Sequence, residues 1–145
     1  MMNSKQAGFT LVELIVVIAI LGILAATALP RFINETTNAR IATVNGMAGA
    51  LSSAVGVVQS AYYAAGGTGT TATMADGTSV TVTAVTGIPT SAAVGIGAAL
   101  STTNGFTVTY AATSTFQPTN GGSATCEATY NAGPPVVVGT ATGGC

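Results

Sequence analysis

Histidine and tryptophan are missing from this chain of 145 residues, and charge is scarce: three basic and four acidic side chains, 5% of the total, for a net charge of −1. Each shortage removes a class of function. General acid–base and nucleophilic chemistry need a base positioned against a partner. Glu13, Glu35, Asp76 and Glu127, with no histidine, form no such constellation, so no catalytic residue and no enzyme activity are expected. With only Lys5, Arg31 and Arg40 to oppose phosphates, there is no basic patch for a nucleic acid. Cys126 and Cys145, with Glu127 as the one carboxylate nearby, are too few for a tetrahedral zinc site. Asp76 with Glu127 falls short of the roughly six to eight oxygens that calcium takes. No metal and no cofactor is expected. The length suits one small domain plus an apolar helix rather than two folded domains.

What the chain has instead is a long apolar run. Phe9 to Leu29 are 21 residues with a single charge, Glu13, and thirteen of them are Leu, Ile, Val or Phe. As a helix they reach roughly 31 Å, the thickness of a bilayer's hydrocarbon core. At about −0.3 to −0.6 kcal/mol per large apolar residue, insertion is favoured by roughly 4 to 8 kcal/mol, against about +3 for a carboxylate at mid-span. Glu13 lies near the end of the run, where it costs less, so insertion wins. A secretory signal of the usual kind is cut after its apolar region, whereas here the small residues Ala7 and Gly8 precede it. Cleavage after Gly8 keeps the helix and leaves a new amino group on Phe9, about one helical turn from Glu13. A carboxylate in an apolar run calls for a partner, and that amine is the natural one.

The stretch Gly8-Phe9-Thr10-Leu11-Val12-Glu13-Leu14-Ile15, behind a short leader charged only at Lys5 and ahead of the apolar run, resembles the N-terminus of a type IV pilin precursor. Gly22 and Pro30 also stand where such pilins carry a glycine and a proline. The resemblance implies cleavage between Gly8 and Phe9 and N-methylation of Phe9 by a prepilin peptidase and methyltransferase. It also implies a Glu13 that pairs with the amino terminus of a neighbouring copy. Packing among identical apolar helices has no register of its own, and one ion pair per subunit supplies it.

Residues 1–8 are thus read as a removable leader, 9–29 as the membrane and filament-core helix, 30–66 as a helix continuing into a head, and 67–145 as the β part of that head. Pro30 has no amide hydrogen and is expected, with Gly22, to break or kink the helix. Beyond it Ile41, Val44, Ala48, Leu51, Val55, Val58 and Tyr62 recur at spacings of three and four, one apolar stripe, and Gly66-Gly67 is a stop signal. Gly46, Gly49 and Gly56 lower helix propensity and are read either as permitting close helix packing or as merely tolerated. Ser79–Ala84, Phe106–Tyr110, Cys126–Tyr130 and Val136–Val138 read as four strands beside the turn signals Asp76-Gly77, Asn104-Gly105 and Asn120-Gly121. Residues 87–100 read as a loop with a short helix near Ser91–Gly95. The expected fold is α+β: a long N-terminal helix laid on a small antiparallel sheet of about four strands.

For Cys126 and Cys145, nineteen residues apart, a disulfide is the better reading once zinc is set aside. Closing that loop removes roughly 3 kcal/mol of unfolded-chain freedom and places the head in an oxidising compartment. The pilin resemblance agrees, since such pilins close a C-terminal loop with two cysteines. Gly87-Ile88-Pro89, Cys126, Tyr130, the Pro/Val stretch and Gly144-Cys145 look most like the mannose-sensitive haemagglutinin type of pilin. Basic residues run slightly against the positive-inside pattern, so the outward placement of the head rests on the cysteines and the resemblance. Asn34-Glu35-Thr36 fits the glycosylation tripeptide but on a helix near the membrane, and the few aromatics are read as packing rather than as a conduction path.

The function expected is a structural subunit, first held in the inner membrane by its helix among lipid and assembly machinery, then polymerised with identical copies into a surface filament for adhesion, motility or DNA uptake. The alternative is a pseudopilin of a type II secretion system.

Overall fold

The computed structural model describes residues 8–145, apart from the side chains of residues 29–34. The leader expected at 1–8 therefore lies outside the described residues except for Gly8, as do the side chains of Pro30 and of Asn34 in the glycosylation tripeptide. The chain divides into two compact units, one ending at Thr37 and the other Asn38–Cys145.

One helix, α1 (Leu11–Ala64), belongs to both units. It is helical without a gap through Gly22 and Pro30, so the break expected there is not an interruption. A proline removes one rung, here to the Ala26 carbonyl, and the rungs on either side carry the helix on. In the first unit the large apolar side chains from Leu11 to Leu24 are all between 50% and 73% exposed.

In the second unit α1 buries Val44, Leu51, Val55, Val58 and Tyr62 of the expected stripe, leaves Ile41 and Ala48 half-buried, and adds Met47 and Ala54, which the spacing of three and four did not pick out. Gly46, Gly49 and Gly56 face outward, where an added Cβ would meet nothing within 4 Å, so the close packing suggested for them does not occur within the chain. The helix stops where expected. The Gly67 amide donates to the Tyr62 carbonyl and the Gly66 amide to the Tyr63 carbonyl, both at 3.0 Å, the paired bonds of a Schellman cap, with Gly66 at φ +100°.

The fold is the expected α+β with a four-stranded antiparallel sheet, but the strands read in the sequence do not all belong to it: among the described residues there are two antiparallel sheets. A hairpin pairs β1 (Thr71–Thr73) with β2 (Ser79–Thr81) through the Asp76-Gly77 turn. A four-stranded meander follows: β3 (Phe106–Thr109), β4 (Thr113–Pro118), β5 (Glu127–Asn131) and β6 (Val137–Ala141), in that order. The strand expected over 79–84 stops at Thr81; beyond it the Val82 amide still donates to the Thr70 carbonyl at 2.8 Å while Val82 also bridges Pro89. β1 and β4 were not expected from their Thr/Ser-rich sequences, yet β4 is central, with Phe116 set between Val108 of β3 and Ala128 of β5. The helical turn near Ser91–Gly95 is found at Ala93–Gly97, interrupted at Gly95.

A single helix stripe serves both sheets. Val44, Met47, Leu51, Ala54 and Val55 pack with Ile96, Phe116, Cys126, Ala128 and Tyr130. Val58 and Tyr62 pack with Ala72, Val80 and Val82. Ser114 and Tyr130 are polar yet fully buried, and each is satisfied: the Ser114 hydroxyl donates to Ser91 O at 3.1 Å and the Tyr130 phenol to Pro89 O at 2.6 Å.

Candidate functional site

The start of α1 is built by two residues acting on each other. Thr10 precedes the helix and Glu13 lies in its first turn. Glu13 Oε2 accepts hydrogen bonds from the Thr10 amide and the Thr10 hydroxyl, both at 2.8 Å, while Thr10 Oγ1 accepts the Glu13 amide at 3.2 Å. This reciprocal arrangement is a capping box, which satisfies backbone donors that the first helical turn leaves without partners. A negative charge at a helix N-terminus also meets the positive end of the helix dipole. The sequence reading assigned Glu13 a role toward a neighbouring amine and missed this local one; the T-x-x-E spacing was the signal for it.

Before the cap, Gly8, Phe9 and Thr10 are non-helical. Gly8 has nothing within 4 Å of an added Cβ, and Phe9 is 94% exposed, so the Gly8–Phe9 peptide bond lies on open, extended-access backbone. After the cap come Leu11–Ala28, 18 residues long and apolar enough to cross a membrane, with none of that window buried. Glu35–Ala64 passes the same test of length and composition, but 28% of it is buried, chiefly by the head's core. Gly8, Phe9 and Glu13 thus fall within six consecutive residues ahead of and in the first turn of the apolar helix, whereas Gly22 lies further along the same bare helix with open space around it.

Residues 3–29 match the family described as the prokaryotic N-terminal methylation motif. In this stretch the chain is similar to type IV pilins. It is 58% identical over 40 residues to the type IV major pilin protein PilE1 of Neisseria gonorrhoeae, covering 28% of this chain and 24% of that protein. The fimbrial protein of Neisseria meningitidis serogroup B gives the same identity and the same two shares. The type IV major fimbrial protein FimA of Dichelobacter nodosus is 43% identical over 54 residues, 37% of this chain and 35% of its own. The chain thus spans about a quarter to a third of the length of these relatives, and no solved structure matches. These three relatives are named as pilins or fimbrial proteins, not as enzymes.

The second unit carries the second set of expected residues. Cys126 and Cys145 are joined in a disulfide with Cα atoms 4.9 Å apart. The same end is held from the helix, since Arg40 Nη1 donates to Cys145 O at 3.0 Å. Asp76 and Glu127, set aside as a calcium pair, do have separate local roles. Asp76 Oδ1 accepts the Thr78 amide at 2.9 Å in the hairpin turn, which holds its carboxyl below the usual range. Glu127 Oε2 accepts from Gln117 Nε2 at 2.8 Å across β4 and β5. Among the described residues no three His, Cys, Asp or Glu side chains gather as a metal site would need.

Proposed function

We propose that this chain is the major structural subunit of a type IV pilus. The observation that carries the reading is the bare apolar helix directly behind the capped Thr10–Glu13 turn. Its side chains have no apolar surroundings within the chain, and lipid or copies of the same helix are the two environments that supply them. Prepilin peptidase cuts between Gly8 and Phe9, the new Phe9 amine is methylated, and Glu13 of one subunit pairs with that amine on a neighbour to set the stagger. Before assembly the helix is anchored in the inner membrane with the disulfide-closed head outside; afterwards it lies in the core of a surface filament. Moving such a helix from lipid to a bundle of its own kind exchanges one apolar environment for another. The two states are then close in free energy, and a separate motor of the assembly machinery can drive extension or retraction.

The names of the relatives, major pilins and fimbrial proteins, favour the pilus over the pseudopilin. The test is to shear surface fibres from cells that express the chain, image them by electron microscopy and sequence the subunit's N-terminus. Fibres whose subunits begin at methylated Phe9 are expected; subunits that begin at Met1, or no fibres, would overturn the reading.

A further inference from the structure

The chain contains three Asn-Gly pairs, Asn45-Gly46, Asn104-Gly105 and Asn120-Gly121. In such a pair the glycine nitrogen lies within reach of the asparagine side-chain carbonyl, and the missing Cβ leaves its approach unhindered. Attack requires that the amide be unengaged, that the peptide rotate, and that water have access. Asn45-Gly46 fails at once, because inside α1 the amides are committed to carbonyls four residues back and the backbone is fixed. Asn120-Gly121, between β4 and β5, lies under Arg40. A Cβ added at Gly121 would fall 2.6 Å from the guanidinium carbon, and the Gly122 amide donates to the Pro118 carbonyl at 2.9 Å. Arg40 is itself anchored on the Cys145 carbonyl, so the guanidinium closes one face of that turn.

Other turns of the head are tied as well. At Asp76-Gly77 the Gly77 amide donates to the Met74 carbonyl at 2.9 Å. Val85 is held outward at φ +74°, its amide donating to the Tyr62 hydroxyl at 2.9 Å while the Tyr63 hydroxyl donates to the Val85 carbonyl at 3.2 Å. Asn104-Gly105 differs. The Phe106 amide donates to the Thr103 carbonyl at 3.1 Å, closing a four-residue turn with Asn104 and Gly105 at its centre and Gly105 at φ +86°. Both central residues are exposed, nothing lies within 4 Å of a Cβ added at Gly105, and the Gly105 amide donates to no acceptor among the described residues. The flanks are fixed, since the Asn104 amide donates to Thr102 Oγ1 at 3.1 Å and the Gly105 carbonyl accepts the Thr119 amide at 2.8 Å. The central peptide of a turn rotates between the type I and type II forms with its flanks in place. The Gly105 nitrogen therefore reaches the Asn104 side chain without unfolding β3.

We infer that Asn104 is a site of spontaneous deamidation and that it reacts ahead of Asn120 and Asn45. The Gly105 nitrogen gives up its proton and bonds to Asn104 Cγ. The bond from Cγ to Nδ2 breaks, and the side-chain nitrogen leaves with that proton as ammonia, which closes a cyclic imide. Water, the one co-reactant, then adds to either imide carbonyl and opens the ring to aspartate or to isoaspartate; nothing is oxidised or reduced. Residues 38–145 carry one cationic side chain, Arg40, and two anionic ones, Asp76 and Glu127, so a carboxylate at position 104 takes their formal side-chain charge from −1 to −2. Isoaspartate also lengthens the main chain by a methylene just before β3, an edge strand of the meander. The head thus grows more acidic with age at one chosen turn.

The test incubates the purified full-length chain in detergent, at mildly alkaline pH in heavy-oxygen water, and follows it by peptide mapping and isoelectric focusing. Asn104 should take up one oxygen from the solvent and lose its side-chain nitrogen at about tenfold the rate of Asn120 or more, a barrier difference of about 1.4 kcal/mol, with Asn45 slower still. In denaturant, where neither α1 nor Arg40 holds anything in place, the three pairs should converge on similar rates. Asn104→Gln should abolish the early acidic band. An Asn104 that stays intact in the folded chain, or the same ranking of the three sites with and without denaturant, overturns the inference. No fibre is needed, so either result leaves the pilus reading to its own test.

Discussion

Thr10 and Glu13 satisfy each other at the first turn of α1, with Glu13 Oε2 bonded by both the amide and the hydroxyl of Thr10 at 2.8 Å. The carboxylate that the pilus reading assigns to a neighbour's amine is thus already part of its own helix's cap. The cap and the proposed pairing are separable, because a cap needs an acceptor whereas an ion pair needs a charge.

Glu13→Gln and Glu13→Ala separate those roles. Glutamine at this position still completes a capping box, so Glu13→Gln should insert and fold as the parent does yet lose most fibres, as Glu13→Ala does. Glu13→Ala should in addition lose helix start stability of about 0.5–2 kcal/mol. Sheared-fibre yield by immunoblot and electron microscopy reads the first effect, and membrane-fraction abundance controls for the second. Normal piliation in Glu13→Gln would leave Glu13 with the cap alone.

Gly8 has open space around it, so a larger residue there strains nothing in the fold. Gly8→Leu should therefore leave a stable, uncut precursor in the membrane, visible as slower migration and as an intact leader by mass spectrometry. Mature-length protein from this variant would contradict cleavage at that bond.

Cys145→Ser opens a 19-residue loop and should lower head stability by roughly 3 kcal/mol, a fall in melting temperature on the order of 10 °C. Arg40 still reaches the last carbonyl and the Gly144 amide still donates to the Thr125 carbonyl at 2.9 Å, so the end stays held without the covalent bond. Thermal unfolding with and without reductant measures it, and the intact protein should be two protons lighter by mass than the dithiol.

Tyr130 is fully buried, and burial raises its phenol well above the ordinary value of 10.0. A pKa raised on folding means stability is complete below the unfolded value and declines as pH rises past about 10. Alkaline unfolding of the head is expected to begin there. Tyr130→Phe should remove that pH dependence while costing about 1–3 kcal/mol at neutral pH, because the Pro89 carbonyl loses its donor. A pH series of melting curves on the two proteins decides it.

Gly87→Ala and Gly105→Ala both force a side chain to positive φ, +63° and +86°, but only the first also drives a Cβ into Tyr62. Gly105→Ala should cost about 1–2 kcal/mol from conformation alone, and Gly87→Ala distinctly more, with loosening of the Val85 loop. Equal melting temperatures for the two would deny that the Tyr62 ring sets the loop.

Legibility followed the range of the interactions involved. The apolar run, the T-x-x-E cap spacing, the stripe from Val44 to Tyr62 and the Gly66-Gly67 stop depend on neighbours within a few residues, and all are visible in the string. The strands were harder. Thr113–Pro118 has the composition of a loop and ends in proline, yet it is the second strand of the meander because Phe116 is drawn into the core against the helix. Ser79–Thr81 alternates well enough for any sheet, and only the short Thr71–Thr73 partner across the Asp76-Gly77 turn assigns it to a separate hairpin. Among the scattered residues behind the closer pilin likeness, the structure brings Pro89 and Tyr130 into hydrogen-bond contact, a pairing 41 residues apart with no local trace.

By itself, then, the sequence determined that an apolar helix long enough for a bilayer begins just after a cleavable-looking Gly8–Phe9 bond, since hydrophobic length and helical period are written residue by residue. Tertiary structure alone decided which strands pair, that one helix face serves two sheets, and that Tyr62 and Tyr63 hold Val85 outward. Those outcomes depend on which distant groups find partners for their buried polar atoms and fill the same core, and no window of neighbouring residues contains that information.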